Sequence, residues 1–131
     1  MTAEARPTIL VVDDEASMRR LIVRILGDDF VVMEADGAAS ALELCTRHVG
    51  AIDLLLTDVV LPGVNGCRLS ELVREMRPTV RTLFISGYGP EILAKHGASA
   101  ASGSFLAKPF THAELRERVR AILNERSQEA P

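Results

Sequence analysis

The chain has 131 residues, of which 47% are hydrophobic and 25% charged, so it can form one domain with a sizeable core, as ordinary globular proteins do. Its formal net charge of -3 at pH 7 argues against a nucleic-acid-binding module, because contacts to phosphate backbones depend on clustered Lys and Arg. The apolar runs are too short to span a membrane and the first residues do not form a signal peptide, so a cytoplasmic location without membrane contact is expected.

Strand-like and helix-like segments alternate through the first half of the chain. The predicted elements, in order, are a strand over residues 8–12, a helix that ends near Gly27, a strand over residues 30–33, a helix that ends near Gly50 and a strand over residues 52–57. Glycine favours a helix end because it adopts positive φ without a steric penalty. The third strand is apolar throughout, which is typical of a parallel strand covered on both faces, and it leads directly to Asp58.

The second half continues the same alternation. The predicted elements are a helix that stops at Arg77, a strand over residues 82–85, a short helix, a strand over residues 104–107 and a last helix that frays after Asn124. The third helix must stop because Pro78 disfavours a helical conformation of the residue before it. Residues 97–103 are only Gly, Ala and Ser, so the fourth helix is expected to be short or mobile. Thr111 to Glu114 has the form of a capping box and predicts the start of the last helix.

Strict alternation of strands and helices predicts the α/β class, a doubly wound parallel sheet with helices on both faces. We expect one folded domain over residues 8–124, a short flexible N-terminus over residues 1–7 and a frayed tail over residues 125–131. Ligands of such sheets bind beyond the carboxyl ends of the strands, so polar residues at those ends are the candidates for a functional site.

Polar residues of complementary chemistry follow four of the predicted strands. Asp13 and Asp14 follow the first strand, Asp58 the third, Ser86 the fourth and Lys108 the fifth. Taken singly, each is as compatible with a helix cap, a turn or a surface charge as with a functional role, and only their joint placement at one edge favours a site. Clustered carboxylates repel one another unless a cation or a shared proton holds them together, and oxygen ligands suit Mg²⁺, with Mn²⁺ as a substitute.

These side chains match the requirements of phosphoryl transfer, which needs an attacking oxygen and positive charge around the transferred group. Asp58 would be the nucleophile, and a cation held by Asp13, Asp14 and Asp58 would neutralise phosphoryl charge. Lys108 would add a second positive charge, and the hydroxyl of Ser86 would form a hydrogen bond with a phosphoryl oxygen.

The chain resembles a receiver domain of the two-component response regulators over nearly its whole length. The resemblance rests on the pair Asp13-Asp14, on Asp58 with Pro62-Gly63 after it, on Ser86 and on the stretch from Phe105 through Lys108-Pro109-Phe110. It implies a flavodoxin-like (βα)5 fold with sheet order 2-1-3-4-5. It also implies that a histidine kinase or a phosphotransfer protein phosphorylates Asp58, with Mg²⁺ as cofactor.

The resemblance further assigns roles within the site. Asp14 is implied to ligate the metal directly and Asp13 through water, and the backbone carbonyl of Val60 completes the protein ligands. Ser86 and Phe105 are implied to form a switch that alters the surface of the fourth helix, the fifth strand and the fifth helix. A cis peptide bond before Pro109 is expected as well, which proline permits at low cost. Phe105 lacks the hydroxyl group that a tyrosine would have at this position, so its ring cannot form a hydrogen bond in the switch.

Three alternatives stay open. An aspartate-nucleophile phosphatase usually needs a second acid two residues beyond the nucleophile, where this chain has Val60. A flavin-binding protein would need a phosphate loop rich in Ser, Thr and Gly after the first strand, and acids stand there instead. A receiver from a hybrid histidine kinase is the third alternative.

The preferred interpretation is a signalling domain rather than an enzyme, whose only reactions are self-phosphorylation from small donors and self-dephosphorylation. It would act on a downstream protein partner as a single-domain regulator, since the chain starts at Met1 and forms one domain. We expect a monomer or a weak, phosphorylation-dependent dimer.

Overall fold

A computed structural model describes residues 6–89, 94–95 and 103–129 of the chain. The strands are β1 (Thr8–Val12), β2 (Val31–Ala35), β3 (Leu54–Asp58), β4 (Arg81–Ser86) and β5 (Ser104–Ala107). The helices are α1 (Ala16–Leu26), α2 (Ala38–Arg47), α3 (Gly66–Met76) and α4 (His112–Glu129). Helix α4 is the last of the helices predicted from the sequence. In the described ranges, none of the helices has the length and apolar character needed to cross a bilayer.

All strands run parallel in the order β2-β1-β3-β4-β5, which confirms the predicted α/β class and the sheet order implied by the resemblance. Alternate residues of each strand point to opposite faces of a sheet. In β1, Ile9 and Val11 pack with apolar residues of α1 and α4, whereas Leu10 and Val12 pack with those of α2 and α3. Among the described helices, α1 and α4 therefore cover one face of the sheet, and α2 and α3 cover the other.

Helix ends follow local sequence signals in several places. Gly27 has a positive φ of 63° at the end of α1, and α3 ends at Met76, just before Arg77 and Pro78. The capping box is present, since the Thr111 N–H donates to the Glu114 carboxylate (2.8 Å) and the Glu114 N–H donates to the Thr111 hydroxyl (3.0 Å). These predictions are confirmed.

The end of α2 differs from the prediction, because the helix stops at Arg47 and not near Gly50. The cause is the Arg77 side chain, which comes from the end of α3. Its guanidinium donates to the carbonyl oxygens of Cys45 (3.0 and 3.2 Å), His48 (2.7 Å) and Gly50 (2.6 Å). Carbonyl groups that a longer helix would have bonded internally are satisfied by this side chain.

The strand boundaries also shift. Strand β2 begins at Val31, after a 3₁₀ turn over Gly27–Asp29 that the sequence pattern did not indicate. Strand β3 begins at Leu54 and includes Asp58 as its last residue. Asp53 lies just before β3, and its carboxylate accepts a hydrogen bond from the Thr8 N–H (2.8 Å) at the start of the sheet.

The described residues extend beyond residues 8–124 at both ends, and the flexibility expected of the two ends stays a prediction. Pro7 already accepts a hydrogen bond from Val31 (2.9 Å), and Arg6 donates to the carbonyl of Asp28 (3.1 Å). Helix α4 continues past Asn124 to Glu129, because a polar sequence without Pro or Gly can extend an exposed helix end. Residues 1–5 lie outside the described residues. The same holds for most of the predicted fourth helix and for residues 97–102.

Candidate functional site

The carboxyl ends of β1, β3, β4 and β5 meet at one edge of the sheet, and the predicted site residues stand there. One carboxylate oxygen from each of Asp13, Asp14 and Asp58 lies within 4.8 Å of the others. The Nζ atom of Lys108 is 3.1 Å from Oδ2 of Asp58 and 3.8 Å from Oδ2 of Asp13. The structure therefore brings the three acids and the amine together. Ser86 ends the neighbouring strand β4.

Asp58 is held through both its side chain and its main chain. One carboxylate oxygen, Oδ1, accepts from the Val60 N–H (3.1 Å), and the other accepts from Lys108. The Asp58 main-chain carbonyl accepts from the Thr57 hydroxyl (2.9 Å). It also faces Gly66, where an added Cβ would lie only 2.1 Å from the carbonyl oxygen. The carboxylate is thus presented by a backbone that has little freedom to move.

Asp13 is buried, and both its main chain and its carboxylate form hydrogen bonds. Its N–H donates to the carbonyl of Ala35 (3.2 Å), and its Oδ1 accepts from the Glu15 N–H (2.9 Å). Burial raises the pKa of Asp13, and the hydrogen bond from Glu15 and the charge of Lys108 only partly oppose this effect. A negative charge at Asp13 is therefore costly in the metal-free protein, as expected where a bound cation would supply the missing compensation.

Lys108 remains positively charged at neutral pH. Burial, the largest single influence, lowers its pKa, but the attractions of Asp58 and Asp13 together outweigh it, so the pKa lies above its ordinary value. The Lys108 N–H donates to the carbonyl of Ser86 (2.8 Å), and the Lys108-Pro109 peptide bond is cis, as the resemblance implied. The main chain of Lys108 is thereby joined to the end of β4.

The two predicted switch residues lie on neighbouring strands. Ser86 is buried at the end of β4, and its hydroxyl oxygen accepts from the Tyr88 N–H (3.0 Å). Phe105 is partly buried on β5, with its ring stacked on that of Phe84 at a centroid distance of 5.1 Å. The Arg118 guanidinium of α4 donates to the main-chain carbonyl of Phe105. Phe105 is therefore connected both to α4 and to the core beside the crevice, the site formed by Asp13, Asp14, Asp58 and Lys108.

Three residues near the acids had no role assigned from the sequence. Thr57 and Gly66 hold the carbonyl of Asp58, and Arg19 donates to the main-chain carbonyl of Asp13 (2.8 Å). Only a weak indication for Gly66 came from the sequence, because glycine is unusual as the first residue of a helix. Neither Thr57 nor Arg19 had one, because a strand threonine and a helix arginine are common in exposed or half-buried positions.

The fold and the crevice define a doubly wound α/β domain whose functional edge combines clustered acids with a lysine. A family model described as the response regulator receiver domain matches residues 9–120. The chain therefore belongs to the response regulator receiver domain family, which confirms the resemblance seen in its sequence.

Curated relatives show the same relationship. The chain is 33% identical to the sensor kinase CckA of Brucella abortus over 88% of its own length and 12% of that protein's length. It is also 33% identical to the transcriptional regulatory protein ResD of Bacillus subtilis, over 92% of its own length and 49% of that protein's length. The chain thus spans less than half the length of these two relatives.

A solved structure of similar size is the response regulator receiver protein from Sinorhizobium medicae. It is 31% identical, has a TM-score of 0.80, and the match covers 94% of this chain and 98% of that one. The backbone likeness therefore extends over the whole receiver fold.

Proposed function

We propose that the chain is a phosphoacceptor domain, in which Asp58 receives a phosphoryl group from a phosphohistidine of a histidine kinase or a phosphotransfer protein. The observation that carries this proposal is the position of the Asp58 carboxylate, which lies beside two further acids and only 3.1 Å from Lys108. A nucleophilic oxygen and a cation for the transferred group are thus adjacent, as phosphoryl transfer requires. The family match over residues 9–120 supports a receiver domain that extends from β1 into α4.

The donor set fits a hard divalent cation. Three carboxylates with oxygens within 4.8 Å of one another suit Mg²⁺, or Mn²⁺ in its place, and burial, which raises the pKa of Asp13, makes its negative charge costly unless a cation is nearby. Asp13, Asp14, Asp58 and the backbone carbonyl of Val60 would hold the ion, with Asp14 bound directly and Asp13 through water. When bound, the ion supplies neutralisation of charge on the phosphoryl oxygens.

Lys108 and Ser86 would bind the oxygens of the phosphoryl group on Asp58. The Lys108 amine is charged and donates a hydrogen bond to the Asp58 carboxylate. After phosphorylation of Asp58 it could donate to a phosphoryl oxygen instead. The Ser86 hydroxyl oxygen accepts from Tyr88, and since a hydroxyl group can also donate, its O–H could form a hydrogen bond with a phosphoryl oxygen. Both residues could thus donate hydrogen bonds to the negatively charged oxygens of a phosphoryl group on Asp58.

The signal would pass from Ser86 to Phe105. Movement of Ser86 toward the phosphoryl group would vacate space into which the Phe105 ring, now stacked on Phe84, can turn. The Phe105 carbonyl also accepts a hydrogen bond from the Arg118 guanidinium, so a change at the ring would reach the surface formed by β5 and α4. Packed cores tend to switch between discrete arrangements, which makes such a small movement readable by a downstream protein.

The phosphatase alternative lacks its general acid. Val60 stands two residues after Asp58, and it provides a main-chain N–H to the Asp58 carboxylate and no titratable group. The only catalysis that we propose is self-phosphorylation from small donors and self-dephosphorylation.

The proposal is tested with beryllofluoride or acetyl phosphate in the presence of Mg²⁺. We expect acetyl phosphate to place one phosphoryl group on Asp58, as detected by mass spectrometry, and either reagent to shift the Ser86 and Phe105 amide signals in NMR spectra. Asp58→Asn should abolish both, whereas Asp28→Asn, at an exposed acid remote from the crevice in sequence, should change neither. Phosphorylation at another residue, or turnover of ordinary phosphate esters without these shifts, would contradict the proposal.

A further inference from the structure

Arg19 joins the acidic turn to the edge of the sheet. It lies on α1, and its Nη1 donates to the main-chain carbonyl of Asp13 (2.8 Å). Its Nε is 3.6 Å from Oε1 of Glu34 on β2, and the Arg19 side chain is only 19% exposed. The guanidinium is therefore held by the Asp13 carbonyl and by the Glu34 carboxylate. Within the described residues, it forms no hydrogen bond with a carboxylate of the crevice.

The carbonyl that Arg19 holds belongs to the peptide group between Asp13 and Asp14. A peptide group is planar, so fixing its C=O also fixes the direction in which the chain continues to Asp14. The other bonds of Asp13 involve its own N–H and its carboxylate, which accepts from the Glu15 N–H across this peptide group, and Arg19 adds a direct hydrogen bond to the C=O itself. Within the described part of the chain, no hydrogen bond of the Asp14 side chain is seen that would fix it instead.

We propose that Arg19 is a positioning residue that sets the relative orientation of Asp13 and Asp14 for binding of a divalent cation. This inference rests on the proposed function, because it presupposes that the acids of the crevice hold such an ion. It adds a residue outside the ligand set, one that acts through the backbone of a ligand.

Two other roles for Arg19 predict different results. If Arg19 acted through its charge, its removal would strengthen cation binding, because a positive guanidinium near the site repels a cation. If Arg19 only tied α1 to β2 through Glu34, its removal would lower stability without changing the affinity of the folded protein for the metal. A positioning role predicts that the affinity falls.

The test is a Mg²⁺ titration of the full chain, followed by NMR through the amide signals of Asp14 and Asp58. We expect Arg19→Met to weaken Mg²⁺ binding by about tenfold, the lower end of the range usual for residues that orient metal ligands. Arg19→Lys, which keeps the charge and a donor, should recover part of the loss. The matched control is Arg20→Met, which removes the same charge from an exposed position on α1 and should leave the affinity unchanged.

Unchanged or tighter binding by Arg19→Met would overturn the inference. If that variant does not fold, Glu34→Gln removes the carboxylate that orients the guanidinium, and a weaker affinity is again expected; an unchanged affinity would count against the inference. Failure of the wild-type chain to bind Mg²⁺ or to be phosphorylated on Asp58 would instead contradict the proposed function. The two failures are therefore distinguishable.

Discussion

The first turn of α3 packs directly against the backbone of the proposed phosphoacceptor. A methyl group on Gly66 would lie 2.1 Å from the carbonyl oxygen of Asp58 and 3.1 Å from the Cα atom of Val59. The Gly66 N–H also donates to the Val59 carbonyl (2.7 Å). The obstructing atoms are backbone atoms, which cannot turn aside as the end of a flexible side chain could.

We therefore expect Gly66→Ala to destabilise the protein by about 3 kcal/mol, the upper part of the usual range for overpacking. Urea unfolding would measure the loss. In Gly89→Ala the same methyl group would have none of the described atoms within 4 Å, so this variant should remain close to the wild type. Equal stabilities of the two variants would contradict the prediction, because they would show that the backbone after Asp58 can shift to accommodate the methyl group.

Asp13 should make the metal-free protein less stable as the pH rises. Burial raises its pKa above the ordinary value of 3.8, so its favourable contribution is complete below that value and is lost as the pH rises through the raised pKa. Asp13→Asn keeps an oxygen that can accept from Glu15 and removes the charge. We expect this variant to be more stable than the wild type at pH 7 and equal to it in strong acid, as measured by urea unfolding at several pH values.

Mg²⁺ should reverse that order. A ligand that binds only the folded state at about 100 times its Kd stabilises it by about 2.7 kcal/mol. The wild type should gain this amount, and Asp13→Asn should gain less because it has lost one carboxylate of the cluster. Thermal unfolding with and without Mg²⁺ would check the prediction, and equal gains would argue against a metal site at Asp13.

Lys108 should be needed for phosphorylation but not for folding. Its amine is 3.1 Å from Asp58, and its raised pKa means that its charge is lost only above its ordinary value of 10.5. Lys108→Met should slow phosphorylation by acetyl phosphate by about 10²-fold, the scale for removing one charge-stabilising donor. The matched control is Lys95→Met, since Lys95 is exposed. A normal rate for Lys108→Met would exclude the proposed role of the amine.

Arg77 should contribute to stability without affecting the site. Its guanidinium donates to the carbonyl of Cys45 in the last turn of α2 and to those of His48 and Gly50 just after it. We expect Arg77→Met to lose about 2 kcal/mol of stability, because a hydrogen bond to a charged group is worth about 1.5–3 kcal/mol and water would compensate part of the loss. Arg74→Met, at an exposed position of α3, should be nearly neutral in the same urea unfolding experiment. The phosphorylation rate of both variants should equal that of the wild type.

The sequence by itself determined the architecture and the location of the site. Runs of apolar residues ending in Asp13, Asp58, Ser86 and Lys108 were sufficient, because parallel strands place their carboxyl ends at one edge whatever the details of packing. Local signals such as the capping box at Thr111 were equally reliable, since both partners lie within one helical turn.

Only the tertiary structure decided which groups hold the site residues in place. Arg19 reaches the carbonyl of Asp13, Arg77 ends α2 from the far end of α3, and Gly66 allows α3 to approach Asp58. Each of these contacts depends on how two elements pack. A long arginine side chain can reach many carbonyl groups, and a glycine allows close approach without specifying what approaches. Sequence periodicity does not contain the relative positions of helices and strands, and those positions determine how the acids of the crevice are oriented.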